Sequence, residues 1–186
     1  MSMPKTGLPR KKLQKGMIFM GALAEGTEKL QKQASKAVGF MAGKKVGVHS
    51  VSAVQQVDDP IEALNLLSRA LLDMGIDWNF KPFKHVHMDS FIEHKDGKQY
   101  IYLVFKDCMI RNVLFHYGHA QKESLCIMSH GIFSGALEAI MPGYNVELEI
   151  EHAGPNSCYK VLTLAPRLAS RLAPRQGVVE KQDDSS

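Results

Sequence analysis

The chain has 186 residues, of which 45% are hydrophobic and 23% are charged, and its formal net charge is +4. This composition is typical of one folded domain and excludes a disordered chain and a membrane-spanning one. The small net charge does not indicate a nucleic-acid binder. Three widely spaced cysteines, Cys108, Cys126 and Cys158, do not form the pattern of a disulfide scaffold and favour a cytoplasmic protein.

The first fifteen residues carry five basic side chains, and we expect residues 1–15 to form a mobile tail. Docking to an acidic partner, an anionic lipid or nucleic acid is the alternative for this tail. The apolar run 17–24 has the layout of a short secretory signal, but it continues into a helical pattern and favours an N-terminal helix. The predicted common face of that helix comprises Leu30, Ala34, Val38 and Met41.

A strong helix start follows at Asp58-Asp59-Pro60, and apolar residues at helical spacing continue to Gly75. Aromatic and β-branched residues then predict a strand over 78–83. The dipeptide Asp96-Gly97 lies between two further apolar runs and predicts a tight hairpin.

The second half of the chain predicts two more helices and two strands. The helices are expected over 108–121 and 129–141, the latter capped by Ser129 or the turn before it and stopped by Pro142-Gly143. The strands are expected over 144–151 and 158–164. Because helices precede the main sheet, the fold class is α+β, with an antiparallel sheet packed against helices.

The last forty residues of this pattern hold the most specific motifs. They are Cys126, the helix start GIFSG at 131–135, Glu138, the strand VELE at 146–149, Gly154 and Cys158. These residues resemble the 4-vinyl reductase domain, also called the hydrocarbon-binding domain, which shares its fold with small subunits of the TRAPP vesicle-tethering complexes. The resemblance implies a cytoplasmic homodimer of α/β sandwiches with a pocket for a small hydrophobic molecule. The domain is expected to span 16–165, with a disordered C-terminal tail over 166–186.

Apolar residues of the last helix and of the aromatic strands are candidates for such a pocket. The predicted ligand-binding residues are Phe105, Phe115, Gly131, Phe133, Gly135 and Leu137. The alternative is that the aromatic side chains simply fill the core and that the two glycines, four residues apart, let the helix pack closely on a neighbour.

Many members of the family bind zinc through cysteines and an acidic residue. This chain has Ile150 where a typical member has a cysteine, and alternation predicts that His152 shares the face of Ile150 and replaces that ligand. The predicted zinc ligands are therefore Cys126, Glu149, His152 and Cys158. The alternative is that the cysteines are small buried apolar residues.

The sequence thus predicts a protein that binds a small hydrophobic ligand, or an accessory subunit of a larger enzyme complex. No catalytic residue is predicted, and His85 and His87 are expected on the wet side of the sheet. A reductase or hydrolase using the Cys/His/Glu cluster and a dimeric scaffold are the alternatives. Neither a DNA-binding helix-turn-helix nor an integral membrane segment is expected.

Overall fold

The computed structural model describes residues 7–106, Cys108, Ile110, 122–154 and 157–167, with side chains from Met20 onward. Within these residues, three helices lie beside one five-stranded antiparallel sheet, so the predicted α+β class is confirmed. The helices are α1 (Gly7–Ser50), α2 (Pro60–Asp73) and α3 (Ser124–Ile140). The strands are β1 (Asn79–Phe83), β2 (Ile92–Lys95), β3 (Lys98–Lys106), β4 (Tyr144–Ala153) and β5 (Ser157–Pro166).

The sheet has the strand order β1-β3-β5-β4, and β2 pairs with the first half of β3. The β2–β3 hairpin turns at Asp96 and Gly97, whose φ angles of 52° and 72° are the left-handed values that a two-residue turn requires. The predicted Asp96-Gly97 hairpin is therefore confirmed. Alternate residues of β3 and β5 are buried, so one face of the sheet packs on the helices and the other is more open.

Helix α2 follows its sequence signals. The side chain of Asp59 accepts a hydrogen bond of 3.0 Å from the backbone N–H of Ile61, and Pro60 occupies the first turn. The chain leaves the helix through Gly75, whose φ is +78°. Its start and end were both predicted because the signals are local.

Helix α1 is longer than predicted and is kinked at Gln31. Its predicted apolar face is not the buried one: Leu30 is 84% exposed, Val38 65% and Met41 64%. The residues that α1 buries against the domain are small, among them Ser35, Gly43 and Gly47. The face predicted from apolar residues is therefore the outer face of the domain.

Helices α1 and α3 pack with their backbones in contact. A Cβ on Gly43 would lie 2.0 Å from the backbone oxygen of Met128, and a Cβ on Gly131 would lie 2.1 Å from that of Phe40. A Cβ on Gly135 would likewise lie 2.3 Å from the backbone oxygen of Lys44. Side chains at these positions would force the helices apart, so tight helix packing explains Gly131 and Gly135.

Helix α3 begins at Ser124, five residues before the predicted cap at Ser129. Its first turn is capped by a distant side chain, because Glu28 of α1 accepts hydrogen bonds from the backbone N–H of Ser124, at 2.9 Å, and from its hydroxyl. The predicted start was wrong because this cap comes from another helix. Cys126 consequently lies in the first turn of α3.

Several predictions fall outside the described residues. The predicted helix over 108–121 lies outside the described residues except at Cys108 and Ile110, and residues 1–6 and 168–186 are not described. Residues 7–15, which were assigned to the tail, belong to α1. None of the helices in the described part of the chain is long and apolar enough to cross a membrane.

Candidate functional site

An aromatic cluster occupies the interface between α3 and the sheet. Phe133 of α3 is fully buried, and its ring centre lies 5.7 Å from that of Trp78, 4.9 Å from Phe80 and 5.3 Å from Phe105. Phe80 and Phe105 also stack on each other at 5.4 Å. We refer to Trp78, Phe80, Phe105 and Phe133 as the aromatic cluster.

Lys160 projects into this apolar surrounding from β5. The buried face of β5 alternates through Cys158, Lys160, Leu162 and Leu164, and Lys160 is only 4% exposed. Its Nζ lies 4.5 Å from the centre of the Phe105 ring and donates a hydrogen bond of 3.3 Å to Oγ of Ser129. Burial lowers the pKa of Lys160, since the charged amine loses its hydration.

Lys160 was not among the predicted site residues, although the sequence held a signal for it. In the run CYKVLTL, strand alternation places Lys160 on the same face as Cys158, Leu162 and Leu164. A lysine in the middle of an apolar row is unusual, because lysine is almost never fully buried without a partner.

His130 of α3 lies close enough to Lys160 for the two charges to interact. It is 7% exposed, and burial, followed by the charge of Lys160, lowers its pKa to about 3. The imidazole is therefore neutral at pH 7. Nε2 of His130 has no hydrogen-bond partner among the described residues.

Two further buried polar atoms on these elements have no partner among the described residues. They are Nε1 of Trp78, a member of the cluster, and Oγ of Ser134, which follows Phe133 on α3. Buried donors and acceptors are normally paired, because leaving one unpaired costs about 1–3 kcal/mol. Unpaired atoms of this kind are expected where a ligand or water completes the bonding.

The three cysteines are near Lys160 rather than spread through the domain. All three lie close enough to Lys160 to affect its pKa, namely Cys108, Cys126 and Cys158. They are thiols and form no disulfide with one another. Burial raises the pKa of the Cys126 thiol, which keeps it protonated. Cys108 was not included in the predicted site, because its distance along the chain gave no indication of this proximity.

The four predicted zinc ligands do not lie together. Cys158 belongs to the buried face of β5, whereas Glu149 is exposed and pairs with Val161 of the opposite row. A register shift after Ile150 places the exposed His152 opposite Tyr159. The expectation that His152 shares the face of Ile150 was wrong because this β-bulge interrupts the alternation.

Zinc would need a closer set of donors than these positions provide. Within the described residues, no group of three or more His, Cys, Asp or Glu side chains lies close enough to hold one ion. A structural zinc site needs four donors in tetrahedral geometry. The set Cys126, Glu149, His152 and Cys158 does not meet that requirement as it is arranged here.

The predicted ligand-binding residues do not all lie at one place. Phe105, Phe133 and Leu137 are buried at the interface between α3 and the sheet. Gly131 and Gly135 face α1, and Phe115 lies outside the described residues.

The open face of the sheet carries a second aromatic group. The hydroxyl of Tyr159 is hydrogen-bonded to Nε2 of His85, and the ring of Tyr102 lies 4.7 Å from that of His85. Tyr102 donates a 2.7 Å hydrogen bond to Glu93, which raises its pKa to about 12. His87, stacked on His85, is exposed, as the wet-side prediction expects.

The outer face of α1 forms a shallow apolar groove of about 960 Å³. Its residues include Ala37, Val38, Met41, Ala42, Lys45 and Val48. We call this surface the α1 groove.

Comparison with known proteins identifies the fold. No family model matches the chain, and no curated protein matches its sequence. Among solved structures, the chain is similar to the phenol-responsive sensory domain of the transcription activator PoxR, crystallised with phenol. The TM-score is 0.54 at 17% identity, over 80% of this chain and 74% of that one. This similarity shows that the two proteins share a fold.

Proposed function

We propose that this chain binds a small hydrophobic molecule as a sensory or accessory domain of the 4-vinyl reductase type. The observation that carries the proposal is the buried aromatic cluster, together with the unpaired polar atoms of its member Trp78 and of His130 and Ser134 on the helix that carries Phe133. Aromatic walls with a few polar atoms are the usual composition of a small-molecule site. The structural neighbour, which was crystallised with phenol, supports the same use of the fold.

The alternative of an enzyme using a Cys/His/Glu cluster receives less support. A general base has to accept a proton near neutral pH, but the pKa of His130 is about 3. A nucleophilic cysteine requires a lowered pKa, but burial raises that of Cys126. Glu149 belongs to the opposite face of the sheet. The pKa values of His130 and Cys126 and the position of Glu149 favour ligand binding over covalent or acid–base chemistry.

Trp78 provides a direct test, since it is the single tryptophan of the chain and belongs to the aromatic cluster. Titration with toluene should change its fluorescence saturably, because toluene would lie against the cluster. Phe133→Leu should weaken toluene binding about tenfold, which corresponds to about 1.4 kcal/mol. The control variant Leu72→Ala, at an exposed position of α2, should bind toluene as the wild type does.

Native mass spectrometry of freshly purified protein gives a second readout. A co-purifying apolar molecule that Phe133→Leu loses would support the proposal. If neither toluene nor phenol changes the fluorescence of Trp78 at any concentration up to their solubility, the proposal is wrong.

The chain is further proposed to act as a homodimer through the α1 groove. The groove presents apolar side chains on an outer helix face, where Met41 and Ala42 follow Val38 at a spacing of three and four residues. Monomeric proteins seldom expose large contiguous apolar patches, which mark interaction sites. Membership of a larger enzyme complex would instead appear as a hetero-oligomer in the same measurement.

A further inference from the structure

We propose that Lys160 selects ligands that carry an acidic oxygen, a carboxylate or a phenolate, on an apolar body. This inference rests on the proposed function, because it concerns the same buried site. It adds a ligand class that apolar binding alone does not specify.

The burial of Lys160 leaves its amine without solvent to balance a positive charge. A lysine that is 4% exposed has given up nearly all of its hydration, and an isolated buried ammonium is costly. Among the described residues, the groups that act on its charge are the three thiols of Cys108, Cys126 and Cys158, and no carboxylate does so. The described residues therefore offer the amine no carboxylate partner, and a ligand with an acidic oxygen would hold Lys160 in its charged form.

The position of the amine relative to the aromatic cluster defines the shape of the ligand. One N–H of Lys160 is used by Ser129, at 3.3 Å, and the amine lies over the ring of Phe105 at 4.5 Å. An ammonium has three donors, so at least one is left for a ligand. A ring or short chain packed on Phe105, Phe80 and Phe133 would therefore bring its polar end to Lys160.

His130 supplies a further contact without a competing charge. Its imidazole is neutral, and Nε2 has no described partner. A carboxylate can direct one oxygen to Lys160 and the other to His130, whereas a phenolate has a single oxygen for both groups. Pairing an anion with Lys160 forms a charge-assisted hydrogen bond, which is stronger than a bond between neutral groups.

The test compares three probes that share one ring and differ in the attached group: benzoate, phenol and toluene. In the wild type, read by the fluorescence of Trp78, benzoate should bind at least tenfold more tightly than toluene. Lys160→Met should remove this preference while toluene binding persists. Lys106→Met, at the exposed end of β3, should keep the preference.

A nitrophenol gives an independent spectroscopic readout, because its phenolate absorbs visible light. Bound to the wild type, the dye should ionise at a lower pH than in water, since Lys160 stabilises the phenolate. Bound to Lys160→Met, it should ionise at the same or a higher pH. A dye that ionises identically in both proteins overturns the inference.

The outcomes separate this inference from the proposed function. Equal affinity of the wild type for benzoate and toluene, or a preference for benzoate that survives in Lys160→Met, overturns the role of Lys160 and leaves ligand binding intact. Failure of all three probes to bind overturns the proposed function itself. The melting temperature of Lys160→Met should equal or exceed that of the wild type, because a buried charge is removed; if this variant does not fold, Lys160→Gln replaces it.

Discussion

Nζ of Lys44 on α1 lies 2.9 Å from Oε2 of Glu138 on α3. The same carboxylate also pairs with Arg167 at 3.0 Å and accepts a hydrogen bond from the backbone N–H of Val146 at the start of β4. One half-buried side chain thus joins α1, α3 and the end of the β4–β5 pair where β4 begins and β5 ends.

Replacing this carboxylate tests its structural role. Glu138→Gln should lower the free energy of unfolding by about 1–2 kcal/mol, because the amide keeps an acceptor for Val146 but loses both ion pairs. Urea unfolding at pH 7 measures the change. The control variant Glu147→Gln, at an exposed position of β4, should change the free energy by less than about 0.5 kcal/mol. Equal effects of the two variants would contradict this role.

Close packing of α1 on α3 predicts a large cost for one added methyl group. Gly43→Ala should lower the free energy of unfolding by about 2–3 kcal/mol, because its Cβ meets the backbone of Met128. The matched control Gly26→Ala adds a methyl group to the same helix where nothing lies within 4 Å. It should be neutral or stabilising by up to about 1 kcal/mol, since alanine favours helix. A Gly43→Ala variant as stable as Gly26→Ala would show that the helices are not in backbone contact.

His130 should make the protein sensitive to acid. The pKa of His130 is about 3 in the folded protein, compared with an ordinary value of 6.5. Between pH 6.5 and pH 3 the unfolded chain therefore binds a proton at this histidine that the folded protein does not bind. Stability should therefore fall as the pH drops below 6.5, by up to about 1.4 kcal/mol per pH unit. His130→Leu should flatten this dependence, measured by urea unfolding at pH 7 and pH 5. His94→Leu, on the exposed part of β2, should leave the slope unchanged; an unchanged slope in His130→Leu would refute the assignment.

The α1 groove predicts a concentration-dependent dimer. Val38→Glu and Met41→Glu should each shift the protein to monomer in analytical ultracentrifugation, because they place charges in the apolar contact. Leu72→Glu changes an apolar residue that is 58% exposed on α2 and should leave the dimer intact. A monomeric wild type would exclude this interface.

Metal content tests the zinc prediction directly. Because Glu149 and His152 lie apart from Cys158, the double variant Glu149→Ala/His152→Ala should contain as much zinc as the wild type, measured by elemental analysis of purified protein. A selective loss of zinc in this variant would show that these residues do bind the ion. Cys126→Ser and Cys158→Ser, measured in parallel, test the two cysteine ligands.

Local signals in the sequence determined several elements of this protein. Asp59 and Pro60 start α2, Asp96-Gly97 turns the β2–β3 hairpin, and alternation identifies the two final strands. Each of these signals acts within a few residues, so the sequence alone was enough to predict the element. Together they predicted the α+β class.

Only the tertiary structure decided the positions that depend on distant partners. Glu28 caps α3 from 96 residues away, so the helix begins earlier than its own sequence indicates. The bulge in β4 places His152 on the same face of the sheet as Tyr159. The glycines of α1 pack against the backbone of α3, so the apolar side of α1 remains exposed. Lys160 becomes a candidate ligand-selecting residue because folding places its amine against Phe105 and Ser129. Sequence spacing reports which residues share a face of one element, whereas the burial of that face depends on what the rest of the chain brings to it.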